Sequence, residues 1–188
     1  MKQLGFKLER ELHLLIRKQY ARRHIVGYKS PYDDPFSYRS LGELGTAAFV
    51  EAFKLVCVDS AGIDVVEYLQ QPETEFRGLV EYAGSAFDPD DWLLAFAGGE
   101  LAGMLLPQRF HDTPAEGTLF LIALVPAQRQ RGYGKILHAK GLEALATRGV
   151  ERYVGSTHVD NTPMIRVFEQ NGCQLGAIRE QETTTPPS

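Results

Sequence analysis

The sequence predicts an α/β (α+β) fold, a single mixed sheet with helices on both faces. Three observations carry this. The run 118–125 is unbroken apolar and of strand length; a glycine turn follows it, then apolar residues at helical spacing over 136–146. A second strand and a second helix follow at 151–159 and 163–171. Upstream, two apolar strands at 92–97 and 100–106 flank Gly98-Gly99, which reads as a hairpin. A hairpin joined to alternating strands and helices suits a mixed sheet.

Taken in order, 12–16 and 25–28 are short apolar runs with basic neighbours, and at least one forms the first strand. Ser30-Pro31-Tyr32-Asp33-Asp34-Pro35 then breaks regular structure twice through proline. Ser40-Leu41-Gly42-Glu43 is a capping box, so a helix starts at Leu41 and carries Leu44, Ala48, Phe53 and Val56 on one face to about Val58. Asp64-Val65-Val66-Glu67 is a second such start. Its helix restarts at Pro72, runs through Phe76, Leu79 and Val80, and ends before Asp88-Pro89-Asp90-Asp91. After the hairpin and the loop His111-Asp112-Thr113-Pro114 come strand 118–125, helix 133–147, strand 151–159 and helix 163–171. Pro163 near the start of the last helix and Gly172 just past its end fit helix stop and start chemistry. A final strand covers 175–178, and 183–188 is a disordered tail, leaving one domain over 1–182.

The chain has 188 residues, 44% of them hydrophobic, enough for one sizeable core. No apolar run approaches a membrane span, and the N-terminal residues lack the apolar core of a signal peptide. Cys57 and Cys173 have no metal-ligand spacing, and Cys57 sits in a helical apolar pattern as a core residue. The expectation is a cytoplasmic protein with reduced thiols and no metal. The net charge of −4 is uneven: residues 1–30 carry eight basic and two acidic side chains, +6, and the remainder −10. A basic edge strand lying against an acidic body accounts for this better than nucleic acid, because no aromatic ladder interleaves the basic residues.

Gln128-Arg129-Gln130-Arg131-Gly132-Tyr133-Gly134-Lys135 lies between the strand 118–125 and the following helix. Glycines there let the backbone approach a ligand, and the first N–H groups of the helix point at it. That is an anion site suited to phosphate. A Walker loop would need Ser or Thr after Lys135, where Ile136 stands; a dinucleotide fingerprint would need glycine at Leu137. The pattern Arg129-x-x-Gly132-x-Gly134 resembles the pyrophosphate motif of the GNAT superfamily of N-acetyltransferases. The second half of the resemblance is a strand running to Asn161, then a helix closing on Phe168-x-x-x-Gly172. The resemblance covers about residues 40 to 178.

It implies a mostly antiparallel sheet containing one splayed pair of parallel strands, and acetyl-CoA as acetyl donor. Ile122, Ala123 and Leu124 would meet the pantetheine arm. Gln130, Arg131, Gly132, Tyr133, Gly134 and Lys135 would meet the pyrophosphate, with the Arg129 and Arg131 side chains available for phosphate. Asn161 would contact the ligand or cap a helix; Tyr133 would line the turn or pack. The family usually follows its last helix with two strands. Here the residues after Cys173 suffice for one, so either the sheet is shorter, or the basic N-terminal segment or a second copy in a homodimer fills the gap.

For catalysis, the resemblance assigns the oxyanion to the backbone N–H of Leu124. The position that commonly holds a tyrosine acid, also lining the cofactor, is Phe168, which has no proton to give. No acidic residue lies in 118–125, so the base falls to His158, on one strand face with Ser156 and continued by Asp160, or to Glu116. The implied function is transfer of an acetyl group to a primary amine of a small molecule or peptide in a ternary complex. The alternative is an acyl-CoA-binding sensor or interaction module with little catalysis.

Overall fold

The computed structural model describes residues 13–58 and 71–184. The helix start at 64–67, residues 1–12 of the basic segment and the tail beyond Thr184 lie outside them. Seven strands form one sheet in the order β2-β3-β4-β5-β6-β1-β7. They are β1 (His13–His24), β2 (Ser37–Ser40), β3 (Leu93–Ala97), β4 (Glu100–Arg109), β5 (Glu116–Leu124), β6 (Arg152–His158) and β7 (Gln174–Thr184). Every pairing is antiparallel except β5 with β6.

The helices are α1 (Leu41–Leu44), α2 (Thr46–Cys57), α3 (Pro72–Ala83), α4 (Tyr133–Thr147) and α5 (Thr162–Gln170). The predicted helix from Leu41 exists but is broken at Gly45, which has φ +80°. Its capping box is formed as expected: Glu43 N donates to Ser40 Oγ at 3.2 Å, and Ser40 N donates to Glu43 Oε2 at 2.8 Å. One core lies between α2, α3 and the sheet and contains Phe49, Phe53, Phe76, Trp92 and Met104. A second joins α4 and α5 to β1 and β6 through Ala21, Leu142, Tyr153 and Phe168.

The missing strand is the N-terminal one. β1 lies between β6 and β7, with Ala21 opposite Gly155 on one side and Leu175 on the other. The two short apolar runs expected near the N-terminus are thus one 12-residue strand and a turn after it. Its basic side chains belong to an interior strand, not a sheet edge. A register shift between Gln19 and Ala21 leaves one extra residue in β7; Gln19 Nε2 reaches across it to Gly176 O at 2.7 Å and holds the irregular stretch. β7 has 11 residues instead of the four expected, and it runs through Thr183 and Thr184, which the sequence assigns to the tail. β2 is a short strand that the sequence reading lacks. It is too short for a periodicity signal and is recruited by its ladder to β3.

Candidate functional site

β5 and β6 are paired only at their first residues, Glu116 with Arg152 and Gly117 with Tyr153. Beyond that bridge they part, and a cleft of about 420 Å³ opens between them. The parting goes with an irregularity in the β4–β5 ladder, where the register slips between Leu105 opposite Ile122 and Pro107 opposite Leu119. β5 therefore carries a bulge at Phe120–Leu121, and bulges bend a strand away from its neighbour.

Ile122, Ala123 and Leu124 form one wall of the cleft. Strand residues turn both polar backbone groups to one edge, alternately. Val125 N donates to Ala102 O on the β4 side. Val125 and Ala123 therefore face β4, whereas Ile122 and Leu124 present their N–H groups to the cleft. Ser156 and Thr157 of β6 stand opposite, Tyr153 and Phe168 close the floor, and Arg129, Gly134 and Asn161 lie at the rim.

The glycine turn has the backbone that an anion site needs. Gly132 is the N-cap of α4 at φ +76°, ψ 6°, a left-handed conformation that disfavours a Cβ, and no side chain caps the helix. Gln130 is also left-handed, at φ +61°. The N–H groups of the first turn of α4 therefore face outward with the positive end of the helix dipole behind them. Arg131 is exposed beside them. Lys135 Nζ lies 5.1 Å from the centre of the Tyr32 ring, and the Tyr133 ring packs edge-on against Phe36 at 5.0 Å.

Arg129 is committed elsewhere. Its Nε donates to Leu124 O at 3.0 Å, and its Nη2 donates to Val56 O at 3.1 Å and Val58 O at 2.7 Å. It ties the end of β5 to the end of α2 instead of extending toward solvent as a phosphate ligand would. Asn161 fills the capping role that the residues left open: its Oδ1 accepts from Met164 N at 3.2 Å, and its Nδ2 donates to Thr157 Oγ1 at 3.0 Å.

Neither expected base is in the cleft wall. Glu116 sits in the bridge that closes the cleft, and its side chain is paired with Arg152 at 2.6 Å. His158 lies at the far end of β6, where its Nδ1 accepts from the Asp160 backbone N–H at 3.3 Å. Three residues of the site escape the sequence patterns. Cys57, read as core, lines the cleft, and burial pushes its thiol up to about 11, against the opposing pull of the Arg129 charge. Tyr153 forms the floor. Phe120 lines both the cleft and a second hollow of about 250 Å³, bordered by Tyr82, Arg109, His111 and Asp112. There His111 Nε2 lies 3.1 Å from Asp112 Oδ1. The bulge at Phe120–Leu121 sets Phe120 between the two spaces, and no local sequence pattern marks it.

No group of three or more His, Cys, Asp or Glu placed to hold a metal occurs among the described residues. No helix among them is long and apolar enough to cross a membrane.

Comparison with known proteins agrees with this geometry. The chain is similar to curated mycothiol acetyltransferases: 33% identical over 91 residues to that of Catenulispora acidiphila, covering 46% of this chain and 29% of the relative. It is 30% identical over 104 residues to that of Streptomyces bingchenggensis, covering 55% and 33%. The matched region thus spans about a third of the length of these relatives. In fold it is similar to a GCN5-related N-acetyltransferase from Sphaerobacter thermophilus, with TM-score 0.60, 18% identity, and coverage of 92% of this chain and 54% of that one. It is also similar to a GNAT-family acetyltransferase from Colwellia psychrerythraea, with TM-score 0.63, 14% identity, and coverage of 90% and 57%. The model of the acetyltransferase (GNAT) family matches residues 60–173, more than half of the sequence, and the chain belongs to that family.

Proposed function

We propose that this chain, as a single domain, transfers an acetyl group from acetyl-CoA to the amine of a small molecule or peptide, directly between two bound substrates. The observation that carries this is the parting of β5 from β6 beside the uncapped N-terminus of α4. The residues fit the donor. Outward N–H groups and Arg131 suit a pyrophosphate, and the unpaired edge of β5 suits an amide-bearing arm that bonds as a strand would. Acetyl-CoA supplies a thioester already activated for transfer.

The protein's part is placement. The N–H groups of Ile122 and Leu124 face the cleft: that of Leu124 meets the donor's arm beside the phosphate turn, and that of Ile122, nearer the floor, is positioned to donate to an acetyl oxygen as it gains charge. The hollow beyond Phe120 offers the acceptor a way to the same point from the α3 side, with the His111–Asp112 pair at its wall. The mycothiol acetyltransferase relatives support a small-molecule acceptor.

The test is release of free thiol from acetyl-CoA across a panel of amines. Turnover with at least one amine is expected, at a rate that rises with the neutral fraction of that amine. Tight CoA binding with no thiol released by any amine would favour the sensor reading. No CoA binding would dismiss both.

A further inference from the structure

Tyr153 is the last residue of β6 that pairs with β5, so its side chain closes the floor where the strands begin to part. The next residue on that face of β6 is Gly155. A methyl group built there would collide with the Tyr153 hydroxyl oxygen and lie 2.7 Å from Cζ. The phenol therefore lies along the strand in the space a side chain at 155 would fill, and its hydroxyl points up the cleft. The ring is held by two others. His138 stands edge-on at 5.2 Å and 82°, and Phe168 lies at 6.4 Å. Phe168, the floor residue contributed by α5, has no hydroxyl.

The reach of the donor agrees. From Leu124, beside the phosphate turn, to Phe120, just above the floor, β5 spans about 13 Å, comparable with an extended pantetheine arm. A thioester at the end of such an arm would stop over Tyr153.

We propose, on the acetyl-transfer reading above, that the Tyr153 hydroxyl is the proton donor to the leaving sulfur. As the new C–N bond forms and the C–S bond breaks, the electron pair stays on sulfur, and the phenolic proton moves to it. The proton shed by the amide nitrogen returns to Tyr153 by way of solvent, so free thiol and amide leave and the phenol is restored. The glycine at 155 is then a requirement of the site, because any side chain there would displace the hydroxyl.

The surroundings keep Tyr153 protonated. Burial raises its pKa first, and the nearby Cys173 adds to this. The titratable groups packed near it are themselves neutral: burial, then the charge of Arg23, depresses His138 to about 3, and burial lifts Cys173 to about 11. Arg23, opposite Tyr153 on β1, lies over the Tyr28 ring, 4.7 Å from its centre.

The experiment compares wild type with Tyr153→Phe and with Tyr153→Phe/Phe168→Tyr, using acetyl-CoA and the fastest amine of the panel. Tyr153→Phe should lower kcat about 10²-fold while leaving the KM for acetyl-CoA within about twofold. Moving the hydroxyl to position 168 should recover at least about tenfold of that loss. An unchanged kcat in Tyr153→Phe would overturn the proposal. A second measurement needs no acceptor. The thiol of bound CoA, followed by thiolate absorbance against pH, should titrate about one unit higher in Tyr153→Phe, because a hydrogen bond to the charged form is lost. Identical titrations would also overturn it. Failure of wild type to bind CoA would instead overturn the acetyltransferase reading on which it rests.

Discussion

Arg129 and Leu124 are joined by a hydrogen bond from the guanidinium Nε to the carbonyl oxygen, 3.0 Å long, at the point where β5 gives way to the phosphate turn. The same guanidinium donates to Val56 O and Val58 O, so one side chain fixes the end of the donor cleft to the end of α2. Arg129→Ala should therefore cost about 2–3 kcal/mol in a denaturant melt, the range for losing charge-assisted bonds to partly buried carbonyls. Arg129→Lys should recover less than half of this, since an ammonium cannot span both ends as a planar fork does. A loss below about 0.5 kcal/mol for Arg129→Ala would return the side chain to the role of a solvent-facing phosphate ligand.

His138 is fully buried on α4, and neither ring nitrogen has a hydrogen-bond partner among the described residues. Burial depresses it to about 3, against 6.5 for the free side chain. The unfolded chain therefore takes up a proton that the folded one refuses. Stability is fully present above about pH 6.5 and declines as pH falls toward 3, by about 1.4 kcal/mol per unit from this group. His138→Leu should flatten that part of the stability profile, and at neutral pH it should match or exceed the parent, because an unsatisfied polar ring leaves the core. Equal acid sensitivity in the two proteins would contradict this.

How much of this was legible in the sequence follows from the range of each interaction. The phosphate turn and α4 were legible because their causes are local: Gly132 needs its left-handed backbone, and the apolar spacing of α4 is continuous. The capping box at Ser40 is local in the same way. The seat of β1 between β6 and β7 was not legible, because strand order depends on partners more than 100 residues apart, and Ala21 carries no mark of Gly155. Charge misled as well: a basic strand suits an edge, yet Arg17 pairs across the ladder with Glu180 at 3.6 Å. At the site, the motif located the cleft wall but assigned Arg129 to phosphate, because a motif cannot show that Val56 and Val58 end a helix within its reach. His158 and Glu116 were chosen by residue type and strand parity, whereas the unpairing of β5 from β6 decides which residues reach the cleft. That unpairing starts after Gly117 and leaves Glu116 below the cleft, and the β6 wall ends at Thr157, one residue before His158.

If β1 is structurally central, proline within it should be far worse than at an edge. Ala21 is fully buried between Gly155 and Leu175. Ala21→Pro should cost about 3 kcal/mol or more and leave little folded protein by far-UV circular dichroism. Near-normal melting would mean that β1 is not between β6 and β7 in solution.

Arg131 is exposed in the phosphate turn. Arg131→Glu should leave the melting temperature of the free protein within about 2 °C. It should weaken CoA binding about tenfold or more at low salt, with the difference shrinking as ionic strength rises. Unaltered affinity would show that the turn binds through its backbone alone.

The central claim is that acetyl-CoA lies in the gap between β5 and β6 with its phosphates at the start of α4. Amide hydrogen exchange with and without acetyl-CoA tests it most directly. The account predicts added protection at Ile122, Leu124 and the amides of 130–135, with β3 and the hairpin turn at Gly98 and Gly99 unchanged. Protection confined to other segments, or none along β5 at saturating acetyl-CoA, would contradict it.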